Sequence, residues 1–267
     1  MCVCVALAGA CGSASNGGSS PPGGPDGSSA DTGKGGGGDS GSIPSDSSVG
    51  VDGGGLDQTA PPFDSGQGQP PNMNPPYPAG PYGVGVGSVI ANLKFIGYPA
   101  PKMATNGVVM QLADFYNPTG HGSFPAGSPY GQGPLPLALV LDIGAVWCGP
   151  CNQEEKYELP WRWAAMEPAG QILSLLLDGP TVGTPATLTN LTNWDKAYAI
   201  AYPTAIDPNY EALQLVPADA YPGNVIVRTS DMRIMAATTG IPTAPLWETL
   251  QSLLPGDAGL VGDASPD

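Results

Sequence analysis

Positive charge is scarce in this 267-residue chain: 8 Lys and Arg stand against 23 Asp and Glu, a formal net charge of −15. A surface this acidic argues against nucleic acid as a partner and against polybasic docking on anionic lipid. Acidity of this kind also serves plain solubility. Histidine is nearly missing, with His121 alone. Cysteine is sparse too: three of five (Cys2, Cys4 and Cys11) lie in the first eleven positions. A zinc site takes about four ligands. One histidine and one downstream cysteine pair fall short of that, so neither a metal nor any other cofactor is expected. The N-terminal apolar run is far shorter than the roughly 20 residues that cross a bilayer as a helix. "GVGVGS" at 83–88 has a serine where a dinucleotide fingerprint needs its third glycine. No internal repeat is apparent.

Glycine and proline are abundant instead, at 40 and 32 residues. Residues 12–80 are mostly Gly, Ser, Pro and Asp, with seven Asp and one Lys, leaving −9 for the rest of the chain. Such a segment cannot bury enough apolar surface to offset its ordering entropy, so it reads as a disordered linker. Ahead of it, "MCVCVALAGAC" carries no charged residue and resembles the end of a secretory signal. Leu7-Ala8-Gly9-Ala10-Cys11 resembles a bacterial lipoprotein processing site, in which cleavage precedes a cysteine that receives lipid. Leu7 lies one residue further upstream than is usual, and no basic segment precedes the run. An ordinary cleaved signal is the alternative. The resemblance implies lipidation at Cys11, removal of Cys2 and Cys4, and an extracytoplasmic domain in the periplasm or cell envelope. As a flexible coil the linker would reach about 45 Å.

The foldable part is expected at 82–255, followed by a frayed, Gly- and Asp-rich tail at 256–267. Short strands are expected around Val89 and at 93–96, then a strand in "VVMQLADFY" (108–116) that passes into a turn. Residues 117–134 read as loop. "LPLALVLDIGA" is continuous enough to be a strand buried on both faces, as is "GQILSLLLD" (170–178). Residues 148–166 read as a helix that Pro160 kinks or divides. A second helix is expected at 187–201, an extended piece at "YPTAID", and a short helix at "PNYEALQLV". A hairpin of "NVIVRT" and "RIMAATT" and a closing helix "APLWETLQSLL" complete the order. This alternation predicts an α/β domain, a central sheet with helices on both faces.

Cys148-Gly149-Pro150-Cys151 sits where a buried strand gives way to a helix. That context suits a redox pair. Unpaired N–H groups at a helix N-terminus favour a thiolate at Cys148, and Pro150 costs nothing in a first turn. On this reading Cys148 is the exposed attacker and Cys151 the inner resolver of a mixed disulfide. A purely structural crosslink closing so short a loop adds little stability, but stays open as an alternative.

"LDIGAVWCGPC" resembles the active-site segment of the thioredoxin superfamily. Across 86–254 the pattern is similar to its extracytoplasmic TlpA-like and AhpC/TSA (redoxin) branch. "GVVMQLADFYNPTG" and "WDKAYAIAYPTAIDPNYEAL" carry the flanking likeness. The resemblance implies a thioredoxin-like fold, with a central mixed sheet flanked by helices and an N-terminal strand extension, and a thiol–disulfide oxidoreductase. Its partners would be exported protein thiols and disulfides and a further redox protein. It also implies that Trp147 shields the pair, that Asp142 is a buried acid behind it, and that Tyr221-Pro222 is the cis-proline step facing the cysteines and an extended substrate. A buried carboxyl has its pKa raised and would take the Cys151 proton as that thiol attacks. Glu154 fits the family's usual acid and is expected to be an exposed helix residue. The acids that follow Cys151 oppose its partner's thiolate. Two alternatives remain: a tethered peptide-binding module with a static disulfide, and a redoxin-type thiol peroxidase. The latter is weakened by Ala145, where threonine would be needed.

Overall fold

The structure is a computed structural model and describes residues 76–100, 106–217, 220–256 and 258–261. Cys2, Cys4, Cys11 and the expected processing segment lie outside the described residues, as does the expected linker up to residue 75.

The strands are β1 (Lys94–Tyr98), β2 (Val108–Gln111), β3 (Ala138–Ala145), β4 (Gly170–Asp178), β5 (Thr204–Ile206), β6 (Gly223–Arg228) and β7 (Arg233–Thr239). The helices are α1 (Gly149–Gln153), α2 (Leu159–Met166), α3 (Leu188–Tyr198) and α4 (Ala244–Leu253). One mixed sheet forms in the order β2-β1-β5-β4-β3-β6-β7. β3 lies parallel to β4 and antiparallel to β6, and β6 pairs antiparallel with β7. A β3–helix–β4 unit followed by a hairpin and a closing helix is the thioredoxin-like arrangement; β5, β1 and β2 extend the sheet beyond β4.

All eight residues of β3 are buried, because both faces of this central strand are covered. Alternation persists within the apolar run. Leu139, Leu141 and Ile143 join one core, while Ala138 and Val140 join the other. Each fully buried leucine here contributes about 1.5–3 kcal/mol of transfer free energy. The crossovers β3 to β4 and β4 to β5 step the same way across the sheet, so right-handed connections bring α1, α2 and α3 to one face. There Leu159, Leu191, Trp194, Trp247 and Leu250 pack together, with α4 beside them. The opposite face, where helices were also expected, carries instead the 3₁₀ turns Leu112–Phe115 and Ala212–Leu215 and the loop residues Phe124 and Tyr130.

Several expectations shift at element ends. The first helix is divided, but by a π-helical turn, Glu154–Glu158, in which the Leu159 N–H reaches the Glu154 carbonyl. Pro160 falls in the first turn of α2; its missing N–H explains why the ladder changes register just before it. The helix expected after Pro208 is the 3₁₀ turn, entered through Tyr210 at φ 59° and held by Ala212 N–H donating to Asp207 Oδ2 at 2.7 Å. Tyr77, upstream of the expected start at Tyr82, is buried and donates its hydroxyl to the Ile90 carbonyl at 3.0 Å. In the tail expected to fray, Leu260 is fully buried against the α4 core, and its N–H donates to Gln251 Oε1 at 3.3 Å. One leucine with an apolar seat is enough to hold that short segment down.

Candidate active site

Cys148 caps α1 with extended backbone (φ −79°, ψ 107°), and its Sγ accepts the Cys151 N–H at 3.1 Å. Pro150 stands in the first turn. The two cysteines are joined, with S–S at 2.06 Å. Cys148 is only 2 % exposed and Cys151 3 %. The expected exposed attacker is therefore buried in the disulfide form. Cys148 belongs to the core beneath the helices, with Tyr221 packed against that core, while Gly149 and Pro150 are exposed beside it.

Trp147 is 41 % exposed and stands edge-on to the Tyr221 ring, 5.7 Å between centroids. Its indole N–H donates to Asp178 Oδ2 at 2.9 Å. Asp178, the last residue of β4, also accepts the Tyr210 hydroxyl at 2.6 Å and the Gly183 N–H at 2.9 Å. Burial opposes its charge, yet these three donors hold the Asp178 carboxyl below its ordinary value. The Tyr221–Pro222 bond is cis. Pro222 itself is buried, and its carbonyl accepts the Gly240 N–H at 2.8 Å.

Asp142 is 3 % exposed and shares a sheet face with the cysteines. A Cβ added at Gly144, two residues along β3, would lie 3.7 Å from Cys151 Sγ. Strand register puts Asn224 of β6 on one side of Asp142 and Ser174 of β4 on the other, with Thr204 of β5 beyond Ser174. All four are buried and form a polar row beneath the helical layer. The π-helical turn lowers two consecutive acids onto that row. Asn224 Nδ2 donates to Glu154 Oε1 at 2.8 Å. Ser174 Oγ lies 2.9 Å from Asp142 Oδ2 and also contacts Glu155 Oε1. Trp194 Nε1 donates to Glu155 Oε1 at 3.2 Å, and the Tyr202 hydroxyl donates to Glu155 Oε2. Thr204 Oγ1 donates to Asp195 Oδ2 at 3.1 Å.

Burial, then the charge of Glu155, pushes the Asp142 carboxyl well above its ordinary value. Burial, then Asp142, does the same to Glu154. Glu154 is only 3 % exposed, so it is not the exposed helix residue expected from sequence. The widened turn rotates it inward together with Glu155. Glu155 is buried as well, at 1 % exposed. Glu155, Ser174, Asn224 and Asp178 are additions to the site. Lone polar residues inside apolar strands ("GQILSLLLD", "GNVIVR") were the available signal for three of them.

No family model matches the chain, and no curated protein matches it. Solved structures of similar backbone path were found. A secreted thiol-disulfide isomerase from Corynebacterium glutamicum is 19 % identical over 61 % of this chain and 84 % of its own, with TM-score 0.41. The exposed lipoprotein thioredoxin of Streptococcus pneumoniae is 17 % identical over 60 % and 98 %, with TM-score 0.39. A thiol-disulfide oxidoreductase from Bacteroides fragilis is 16 % identical over 60 % and 97 %, with TM-score 0.40.

Proposed function

We propose that the chain is a thiol–disulfide oxidoreductase that exchanges disulfides with extracytoplasmic proteins through the Cys148–Cys151 pair. The observation that carries this reading is the seating of the pair. Cys148 caps a helix N-terminus, where dipole and free N–H groups favour a thiolate. Cys151 lies over the sheet face that carries a buried acid, Asp142. A structural crosslink needs no such acid, whereas a resolving thiol needs a proton acceptor. In this reading Cys148 attacks, Cys151 resolves, and Asp142 takes the Cys151 proton. Trp147 and Tyr221 form the rim that an extended substrate meets, with Pro222 buried beneath it. Cys11 carries lipid, the segment between Cys11 and Tyr77 tethers the domain outside the cytoplasm, and a second redox protein resets the pair.

A second reading, a peptide-binding module with a static disulfide, draws support from the burial of both sulfurs. Reduction of insulin disulfides by the purified chain with a thiol donor separates the two. Turnover that vanishes in Cys148→Ser is expected; a pair that stays oxidised across the range of biological thiol potentials would sink the oxidoreductase reading.

A further inference from the structure

The polar layer behind the disulfide is short of hydrogens. Ser174 has one hydroxyl hydrogen, yet its oxygen lies against two carboxyl oxygens, Asp142 Oδ2 and Glu155 Oε1. If both acids were ionised, one of those contacts would be two bare acceptors facing each other in a buried site. The deficit extends further: the buried oxygens Glu154 Oε2 and Asn224 Oδ1 have no donor among the described residues. Asn224 is fully buried with its amide aimed at this cluster. A hydrogen must therefore come from a carboxyl group.

We propose, building on the oxidoreductase reading, that Glu155 is a positioning residue which, through the Ser174 hydroxyl, holds one proton on Asp142, ready for Cys151. The assignment of which acid is ionised follows from the donors. Glu155 receives Tyr202 O–H, Trp194 N–H and Ser174 O–H, so the negative charge rests there. Asp142, whose one hydrogen-bond partner among the described residues is Ser174, keeps the proton and donates it to Ser174 Oγ. Burial, then Glu155, pushes the Tyr202 hydroxyl far up, so it remains a donor. The raised Asp142 carboxyl is in keeping with the same picture. The other titratable groups facing the pair are Glu154 and Glu158 on the helical segment, and Asp195 and Tyr198 on α3. Lys156 sits on the exposed outer side of the turn.

The proton has a defined use. A substrate thiolate gives its electron pair to Cys148 Sγ, and the Cys148–Cys151 bond breaks with its pair leaving on Cys151 Sγ. That sulfur takes the proton from Asp142, which becomes a carboxylate. The substrate sulfur is oxidised into the mixed disulfide and Cys151 is reduced to a thiol. In reverse, the Cys151 thiol returns its proton to Asp142 as it attacks Cys148, and the substrate leaves as a thiolate.

Infrared spectroscopy of the oxidised full chain at pH 7 reads the proton directly, whether or not the protein turns over. A protonated-carboxyl band is expected, lost in Asp142→Asn. In Glu155→Gln the neighbouring charge is gone, so the band should titrate away at a pH lower by about 1 unit or more. The pH profile for thiol-driven opening of the disulfide should move down with it. Ser174→Ala keeps both acids and guards against a Glu155 variant that fails to fold; there the band should move to higher wavenumber, because the acid has lost the hydroxyl it donates to. Absence of the band at pH 7, or a band that both variants leave unmoved, overturns the proposal. The expected band beside a disulfide that never exchanges would sink the oxidoreductase reading and leave the proton on Asp142 standing.

Discussion

The indole N–H of Trp147 donates to Asp178 Oδ2 at 2.9 Å, joining the residue before Cys148 to the far end of β4. Because Asp178 also takes the Tyr210 hydroxyl and the Gly183 N–H, one carboxylate ties the motif loop, the loop after β4 and the turn before Ala212 together. Asp178→Ala leaves three donors without their acceptor and should cost about 1–3 kcal/mol. Urea unfolding measures this, and the Trp147 fluorescence should shift as the ring loosens. With its carboxyl held below the ordinary value, the stability Asp178 contributes is complete above about pH 4 and is lost as pH falls through its lowered value. An Asp178 variant as stable as the parent at pH 7 would remove its role as the tie.

The acids behind the disulfide work in the opposite direction. Asp142 and Glu154 are raised above their unfolded values, so the folded chain binds more protons there than the unfolded chain does. Their contribution is most favourable below about pH 4 and declines as pH rises toward the raised values. Asp142→Asn should therefore stabilise the protein at pH 8 and leave it nearly unchanged at pH 4. Each unit of displacement removed is worth about 1.4 kcal/mol. Denaturant midpoints at the two pH values give the comparison, and an equal effect at both would show that Asp142 is not a raised acid.

Exchange through Cys148 predicts an asymmetric trap. With Cys151→Ser, a mixed disulfide formed at Cys148 has no resolving thiol and should accumulate. With Cys148→Ser it should not, because Cys151 lacks the helix N-terminal seat that favours a thiolate at Cys148. Non-reducing electrophoresis after incubation with a disulfide-containing peptide reads both. Equal trapping by the two variants would contradict the assignment of attacker and resolver.

Gly97 has a packing role that no turn requires. A Cβ there would lie 2.0 Å from the Thr204 carbonyl oxygen, across the β1–β5 pairing. The obstacle is backbone, which cannot swing aside, so Gly97→Ala should force β1 from β5 and cost about 1–3 kcal/mol or more. Thermal unfolding measures the loss. Faster amide exchange at Ile96 and Tyr98 should accompany it.

The seat of the cysteine pair was legible because its signals are local. An eight-residue apolar strand, a proline in a first turn and a Trp-Cys-Gly-Pro-Cys string all act within one turn or strand of each other. Glu154 was misjudged because its orientation depends on a π-helical turn that periodicity at 3.6 residues cannot represent. Ser174 and Asn224 lie 32 and 82 positions from Asp142 in the chain. Only strand register brings them beside it.

The sequence by itself determined a central sheet, the cysteine pair at a helix N-terminus and the presence of an acid in a buried strand, because each follows from periodicity, turn chemistry or composition within a few residues. The tertiary structure decided which polar groups face one another. Parallel pairing of β3 with β4 and antiparallel pairing with β6 set Asn224, Asp142, Ser174 and Thr204 in one row. The widened turn set Glu154 and Glu155 over it. Hydrogen bonds reach about 3 Å, so whether Ser174 carries one hydrogen to two acids is a fact of packing that separation along the chain does not encode.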